Sequence, residues 1–167
     1  MDSLLIKEIR EAELKECAEV IRRSFATVAE KFDITKESFP NHTSFITQEK
    51  LRKYLDLGTM MFGLYKEGEL IGFVSLSKES GEAYELRNLA VLPGHRRQGC
   101  GKRLIEFCKT KITSLGGNKI RIGIIEEHTV LKNYYAANGF LHTGTENFAH
   151  IPFTVGYMEW GEPHKSN

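Results

Sequence analysis

The run Arg96-Arg97-Gln98-Gly99-Cys100-Gly101-Lys102-Arg103 holds the residue types and spacing in this chain best suited to chemistry. It follows the apolar Leu89-Ala90-Val91 and the stop signal Pro93-Gly94, and it precedes a helical stripe that starts at Leu104. A strand that turns through glycines into a helix leaves unpaired backbone N–H groups and about half a positive charge at the helix start. Gly99 and Gly101 let that backbone approach a ligand without Cβ obstruction, and the four cations add local charge. The expected ligand is an anion, phosphate above all. The same residues also read as a glycine-rich helix start with solvated basic side chains. The nucleotide motifs G-x-x-x-x-G-K-[ST] and G-x-G-x-x-G with its downstream acid are both missing.

Arg96-Arg97-Gln98-Gly99-Cys100-Gly101 resembles the R/Q-x-x-G-x-G/A signature of the GCN5-related N-acetyltransferase (GNAT) superfamily. The preceding Leu89-Ala90-Val91 is similar to that family's pattern, and Tyr135-Ala136-Ala137-Asn138-Gly139-Phe140 is similar to its Y-x-x-x-G-F. The likeness in element order runs from about Leu4 to Trp160. It implies an acetyl-CoA donor, no metal, and transfer to an amine. By the same resemblance, the strand holding Leu89, Ala90 and Val91 splays from its neighbour and pairs with the pantetheine arm through Leu89 and Val91. Arg96, Arg97, Gln98, Gly99, Cys100, Gly101 and Lys102 then form the diphosphate site. The asparagine more usual seven residues before the tyrosine is His128 here, which either meets the pantetheine, acts as a base, or only caps a helix.

Acyl transfer to an amine poses two proton problems. At neutral pH only about 1 in 10³ alkylamine molecules is the neutral nucleophile. The departing sulfur also needs a proton donor. The resemblance assigns the donor role to Tyr135, a phenol that stays protonated at neutral pH. Glu85 is the candidate base, because some members of the family this chain resembles use a glutamate at the corresponding place, directly or through water. Strand alternation places Glu85, Arg87 and Leu89 on one face and Tyr84, Leu86, Asn88 and Ala90 on the other. The Glu85–Arg87 neighbourhood reads equally as a structural ion pair, and water alone is an alternative route for the proton. Cys100, at a helix start among arginines, is in a setting that lowers a thiol pKa. No histidine is tied to it by motif, so direct transfer is expected rather than a covalent acyl-enzyme.

These residues need elements to position them. Leu4 to Arg10 reads as a strand. The stripe Leu14, Cys17, Ile21, Phe25, Val28 and Phe32 reads as an amphipathic helix. A loop over Asp33–Ile46 leads to a short helix capped by Thr47. Strands at Met60–Lys66, Glu69–Ser77 and Ala83–Val91 follow, then a helix over Gly99–Leu115 and a strand at Lys119–Ile125. A helix over Thr129–Asn138 and strands at Leu141–Phe148 and Thr154–Trp160 end the order. The expected fold is α/β (α+β): one domain over 1–167, with a core of 4–160 and a tail of 161–167. Its mostly antiparallel mixed sheet has about seven strands and four helices, and it splays between the fourth and fifth strands.

Composition excludes several classes. The chain has 167 residues and net charge +1, so no global bias toward nucleic acid or acidic membranes exists. No apolar run approaches the ~18 residues of a membrane span, and the N-terminus lacks a signal-peptide pattern. Three cysteines without a close pair argue against a disulfide framework or a zinc site. The expected setting is cytoplasmic, as a monomer or homodimer. The expected partner is a small-molecule or peptide amine, with no nucleic acid and no membrane. Phe25, Phe32, Phe39, His42 and Phe45, with Tyr157, give the acceptor region an aromatic character without naming a substrate. A non-catalytic acyl-CoA-binding module is the alternative, and transfer to a hydroxyl is a third reading.

Overall fold

The computed structural model describes residues 3–161. Its sheet starts with β1 (Leu4–Glu8), which pairs antiparallel with β2 (Met60–Lys66). Between them in sequence lie α1 (Leu14–Lys31) and α2 (Gln48–Asp56). The helix stripe Leu14, Cys17 and Ile21 is fully buried, as its three- and four-residue spacing predicts. Thr47 caps α2 by accepting from the Lys50 amide at 3.2 Å. Such a cap contributes about 1 kcal/mol.

β3 (Glu69–Lys78) forms a hairpin with β2. Every residue from Leu70 to Leu76 in β3 is buried, because α1 and α3 (Cys100–Ser114) both pack on this strand. A central strand covered on both faces reads as a continuous apolar run rather than an alternating one. Side chains such as Phe73, Leu76, Leu104 and Ile105 are fully buried here. Each contributes about 1.5–3 kcal/mol relative to exposure. β4 (Ala83–Val91), β5 (Lys119–Ile125), α4 (Thr129–Ala137), β6 (Leu141–Glu146) and β7 (Val155–Gly161) complete the set.

The seven strands run β1-β2-β3-β4-β5-β7-β6. All neighbours are antiparallel except β4 and β5. That parallel pair keeps register only over Ala83–Glu85 against Lys119–Arg121, and beyond it the strands part. The splay expected between the fourth and fifth strands is therefore present. Strand ends differ in detail: β1 stops at Glu8, β6 stops at Glu146, and β7 extends to Gly161. Gly161 thus belongs to the sheet. The expected tail from Glu162 onward lies outside the described residues.

The predicted alternation in β4 fails at one place. Two steps along β3, Phe73 to Ser75, face three along β4, Ala90 back to Arg87. β4 carries one extra residue there, and Asn88 takes φ 57°. Asparagine tolerates this left-handed conformation better than most residues, which suits it to a bulge. Asn88 therefore does not share the buried setting of Tyr84 and Leu86. It is half-buried, and its Oδ1 accepts from Thr43 Oγ1 at 3.4 Å.

Candidate active site

Where β4 and β5 part, a cleft of about 880 Å³ opens. This lies toward the upper end of the ~300–1,000 Å³ typical of ligand sites. α1 and its following loop close one side, the start of α3 and the tyrosines of α4 another, and residues 151–155 a third. The cleft gathers Glu85, Leu89, Val91, Arg96, Arg97, Gly99, Cys100, Gly101, Lys102, His128 and Tyr135 from the sequence candidates. Ala90 is buried behind it, and Gln98 is exposed on the outer side of the turn.

The turn before α3 has the backbone of an anion cradle. Arg97 has φ 63° and Gly99, the N-cap of α3, has φ 80°. Left-handed residues beside a helix start converge N–H groups on one point. A non-glycine residue held there costs about 1–3 kcal/mol. Gly101 matters for a different reason: a Cβ on it would meet the Tyr134 hydroxyl, so that side chain would have to move. Arg97 and Lys102 are exposed, with no ion-pair partner among the described residues.

Arg96 is engaged differently. Its Nη2 donates to the Ser24 carbonyl at 2.7 Å, its Nη1 to Thr27 Oγ1 at 3.1 Å, and its Nε to the Val91 carbonyl at 3.2 Å. The Val91 amide donates to Ser24 Oγ at 3.2 Å. Arg96 therefore ties α1 to the end of β4, and burial lowers its pKa from the usual guanidinium value.

Tyr135 is buried at the cleft floor, where desolvation pushes its pKa well above the ordinary phenol value. Its hydroxyl has no hydrogen-bond partner among the described residues. The ring packs edge-on against Tyr134 and Phe140. Tyr134 also lines the cleft, and burial raises its pKa too. Glu85 accepts two bonds from Arg87, at 2.6 and 3.1 Å, which raise the Arg87 pKa. His128 is the N-cap of α4: its Nδ1 accepts from the Leu131 amide at 3.3 Å. Desolvation, with the Lys31 charge, lowers its pKa. His42 is buried among Phe25, Phe39 and Phe45. The Ser44 amide donates to His42 Nδ1 at 3.2 Å, and desolvation lowers this pKa as well.

A family model described as an acetyltransferase (GNAT) domain matches residues 30–159, more than half of the chain. The chain belongs to the GNAT acetyltransferase family. This GNAT domain is 30% identical over 124 residues to an uncharacterized N-acetyltransferase, YitI, of Bacillus subtilis (strain 168), covering 71% of this chain and 80% of that protein. Among solved structures it superposes on the ribosomal-protein-S18-alanine N-acetyltransferase of Escherichia coli with a TM-score of 0.76, at 15% identity over 99% of each chain. It also superposes on the coenzyme A complex of the paia N-acetyltransferase of Thermoplasma acidophilum, with a TM-score of 0.73 at 22% identity. That match covers 96% of this chain and 99% of the other. These two likenesses are of fold.

Within this GNAT cleft, three groups escaped the sequence reading. Ser24 and Thr27 anchor Arg96 across about 70 residues of sequence, and nothing local announces that contact. Asn88 enters the cleft only because of the bulge. Tyr134, beside the motif tyrosine, faces Gly101, an approach that only the tertiary fold creates.

Proposed function

We propose that this GNAT domain transfers an acetyl group from acetyl-CoA to a primary amine of a small molecule or peptide, by direct attack in a ternary complex. The observation that supports this most is that one cleft holds both the positive-φ cradle at Arg97–Gly99 and a buried Tyr135 whose hydroxyl has no partner among the described residues. The cradle, with Arg97 and Lys102 exposed and without an ion-pair partner among the described residues, suits a diphosphate. The coenzyme A found in the Thermoplasma neighbour supports the same donor.

When bound, acetyl-CoA supplies the activated thioester carbonyl. The backbone amides from Arg97 to Lys102, including those of Gln98, Gly99, Cys100 and Gly101, hold the diphosphate. Leu89, Ala90 and Val91 flank the pantetheine arm. Both backbone groups of Val91 have protein partners, which leaves pairing with the arm to Leu89. Arg96 acts by holding Val91 and α1 in place. His128, with Nδ1 occupied as a cap, carries its proton on Nε2 and can donate it to the arm. Tyr135 keeps its proton at Oη throughout the neutral range, ready for the departing sulfur. The Glu85 carboxylate has roughly four lone-pair sites and spends two on Arg87, leaving room to take the ammonium proton directly or through water.

The test follows free thiol release with acetyl-CoA and a panel of amines. Tyr135→Phe is expected to lower kcat about 10²-fold, the usual worth of a positioned acid. If Tyr135→Phe and Glu85→Gln both leave the rate untouched, these roles are wrong. If acetyl-CoA binds but nothing is acylated, the domain is a binding module. Mass spectrometry of the product separates amine from hydroxyl acceptors.

A further inference from the structure

The aromatic part of the cleft lining has its own chemistry. Phe25 comes from α1, Phe39 from the loop after it, and Phe153 from the connection between β6 and β7. Phe39 and Phe153 meet edge-to-face at 5.7 Å, joining two loops that are distant in sequence. This wall suits an apolar, aromatic body.

The charges point the same way. Glu85 is the one carboxylate among the described residues lining the cleft, and Arg87 already holds both its oxygens. Lys50 also lines the cleft, half-buried, and its ammonium has no partner among the described residues. It sits in the first turn of α2, where the helix dipole mildly disfavours a cation. Tyr54, four residues on, shares that helix face and lines the same cleft. A second ammonium on the acceptor, beyond the one that Glu85 serves, would face Lys50 with no further carboxylate among the described lining residues to receive it. One uncompensated cation calls for one negative charge, which a carboxylate supplies and a phosphate dianion exceeds.

We propose that the acceptor is an amine with an aromatic or apolar body and a carboxylate, the carboxylate being held by Lys50 Nζ and the Tyr54 hydroxyl. This deepens the acyl-transfer reading and rests on it for the identity of the cleft. The test is equilibrium binding of phenylalanine and of phenethylamine, which differ by the carboxylate alone, to the protein by itself and saturated with CoA, where no acyl group is present to transfer. Phenylalanine is expected to bind at least about 10-fold more tightly, the worth of one charged hydrogen bond. Lys50→Ala is expected to bring the two within about 2-fold, and Lys50→Glu to reverse their order. Tyr54→Phe provides a milder variant and is expected to reduce the preference without abolishing it. Equal binding, no binding of either, or a preference that survives Lys50→Glu overturns the proposal. A preserved preference with no turnover on any amine defeats only the acyl-transfer reading. Turnover without the preference defeats only this one.

Discussion

Replacing Arg96 by alanine separates two roles for a basic residue in the phosphate turn. Its guanidinium donates to Ser24, Thr27 and Val91, at 2.7, 3.1 and 3.2 Å. A hydrogen bond from a charged donor is worth about 1.5–3 kcal/mol. Three such bonds from one partly exposed group share a scaffold and do not add, so a loss of about 2–4 kcal/mol is expected. For a domain of this size that is a fall in Tm of about 4–16 °C. Denaturant unfolding should show a lower midpoint at unchanged slope. Arg96→Lys should recover little, because an ammonium cannot reproduce the planar fork. The logarithm of the acetyl-CoA affinity should keep its dependence on salt in Arg96→Ala, and that dependence should flatten in Arg97→Ala and Lys102→Ala. An Arg96→Ala protein that melts within about 1 °C of the parent but has lost salt-dependent affinity would refute this assignment.

Other outcomes follow from the same geometry. Gly101→Ala places a Cβ against the Tyr134 hydroxyl, so KM for acetyl-CoA should rise, and Tyr134→Phe in the same chain should partly restore it, read from initial rates. Tyr135 has a raised pKa, so the kcat–pH profile should show no alkaline loss at the ordinary phenol value of about 10; a break there would mean that another group is the donor. His42 and His128 have lowered folded pKa values, so the unfolded chain binds more protons as pH falls. Stability should be full above the unfolded value of about 6.5 and decline as pH drops through it toward the folded values. His42→Phe should flatten that decline in denaturation midpoints measured from pH 7.5 to 5. Asn88→Val puts a β-branched residue at φ 57° and should cost at least about 1–2 kcal/mol in chemical unfolding.

The sequence spoke clearly where structure is periodic or punctuated. The stripe of α1, the turn at Glu67-Gly68 and the Thr47 cap are all local, and each element they imply is present. The glycine turn into α3 is equally legible, since Gly99 takes the positive φ that its type allows. The bulge at Asn88 was not, because a one-residue insertion in a strand leaves the same composition on either side of it. Arg96 illustrates a second limit. Its type announces a positive charge, but its partners on α1 arise only from tertiary packing, so a residue expected at the phosphate is found bracing a helix. Likewise the sequence puts Glu85 and Arg87 on one strand face, and the fold adds that each carboxylate oxygen accepts a bond from Arg87.

The three-residue seam between β4 and β5 leaves an unusual edge. Exposed strand flanks normally lie at a sheet's rim, where they invite pairing with other chains. Here the unfinished flanks lie in the middle of the sheet, under α1, its loop and α4. The protein by itself is therefore an incomplete ladder, and an extended amide-bearing ligand would act as its missing rung. Occupancy should then be visible without any chemistry: backbone amides along the seam would exchange with deuterium more slowly. Saturation at 100 times Kd would add about 2.7 kcal/mol to the stability of the whole domain.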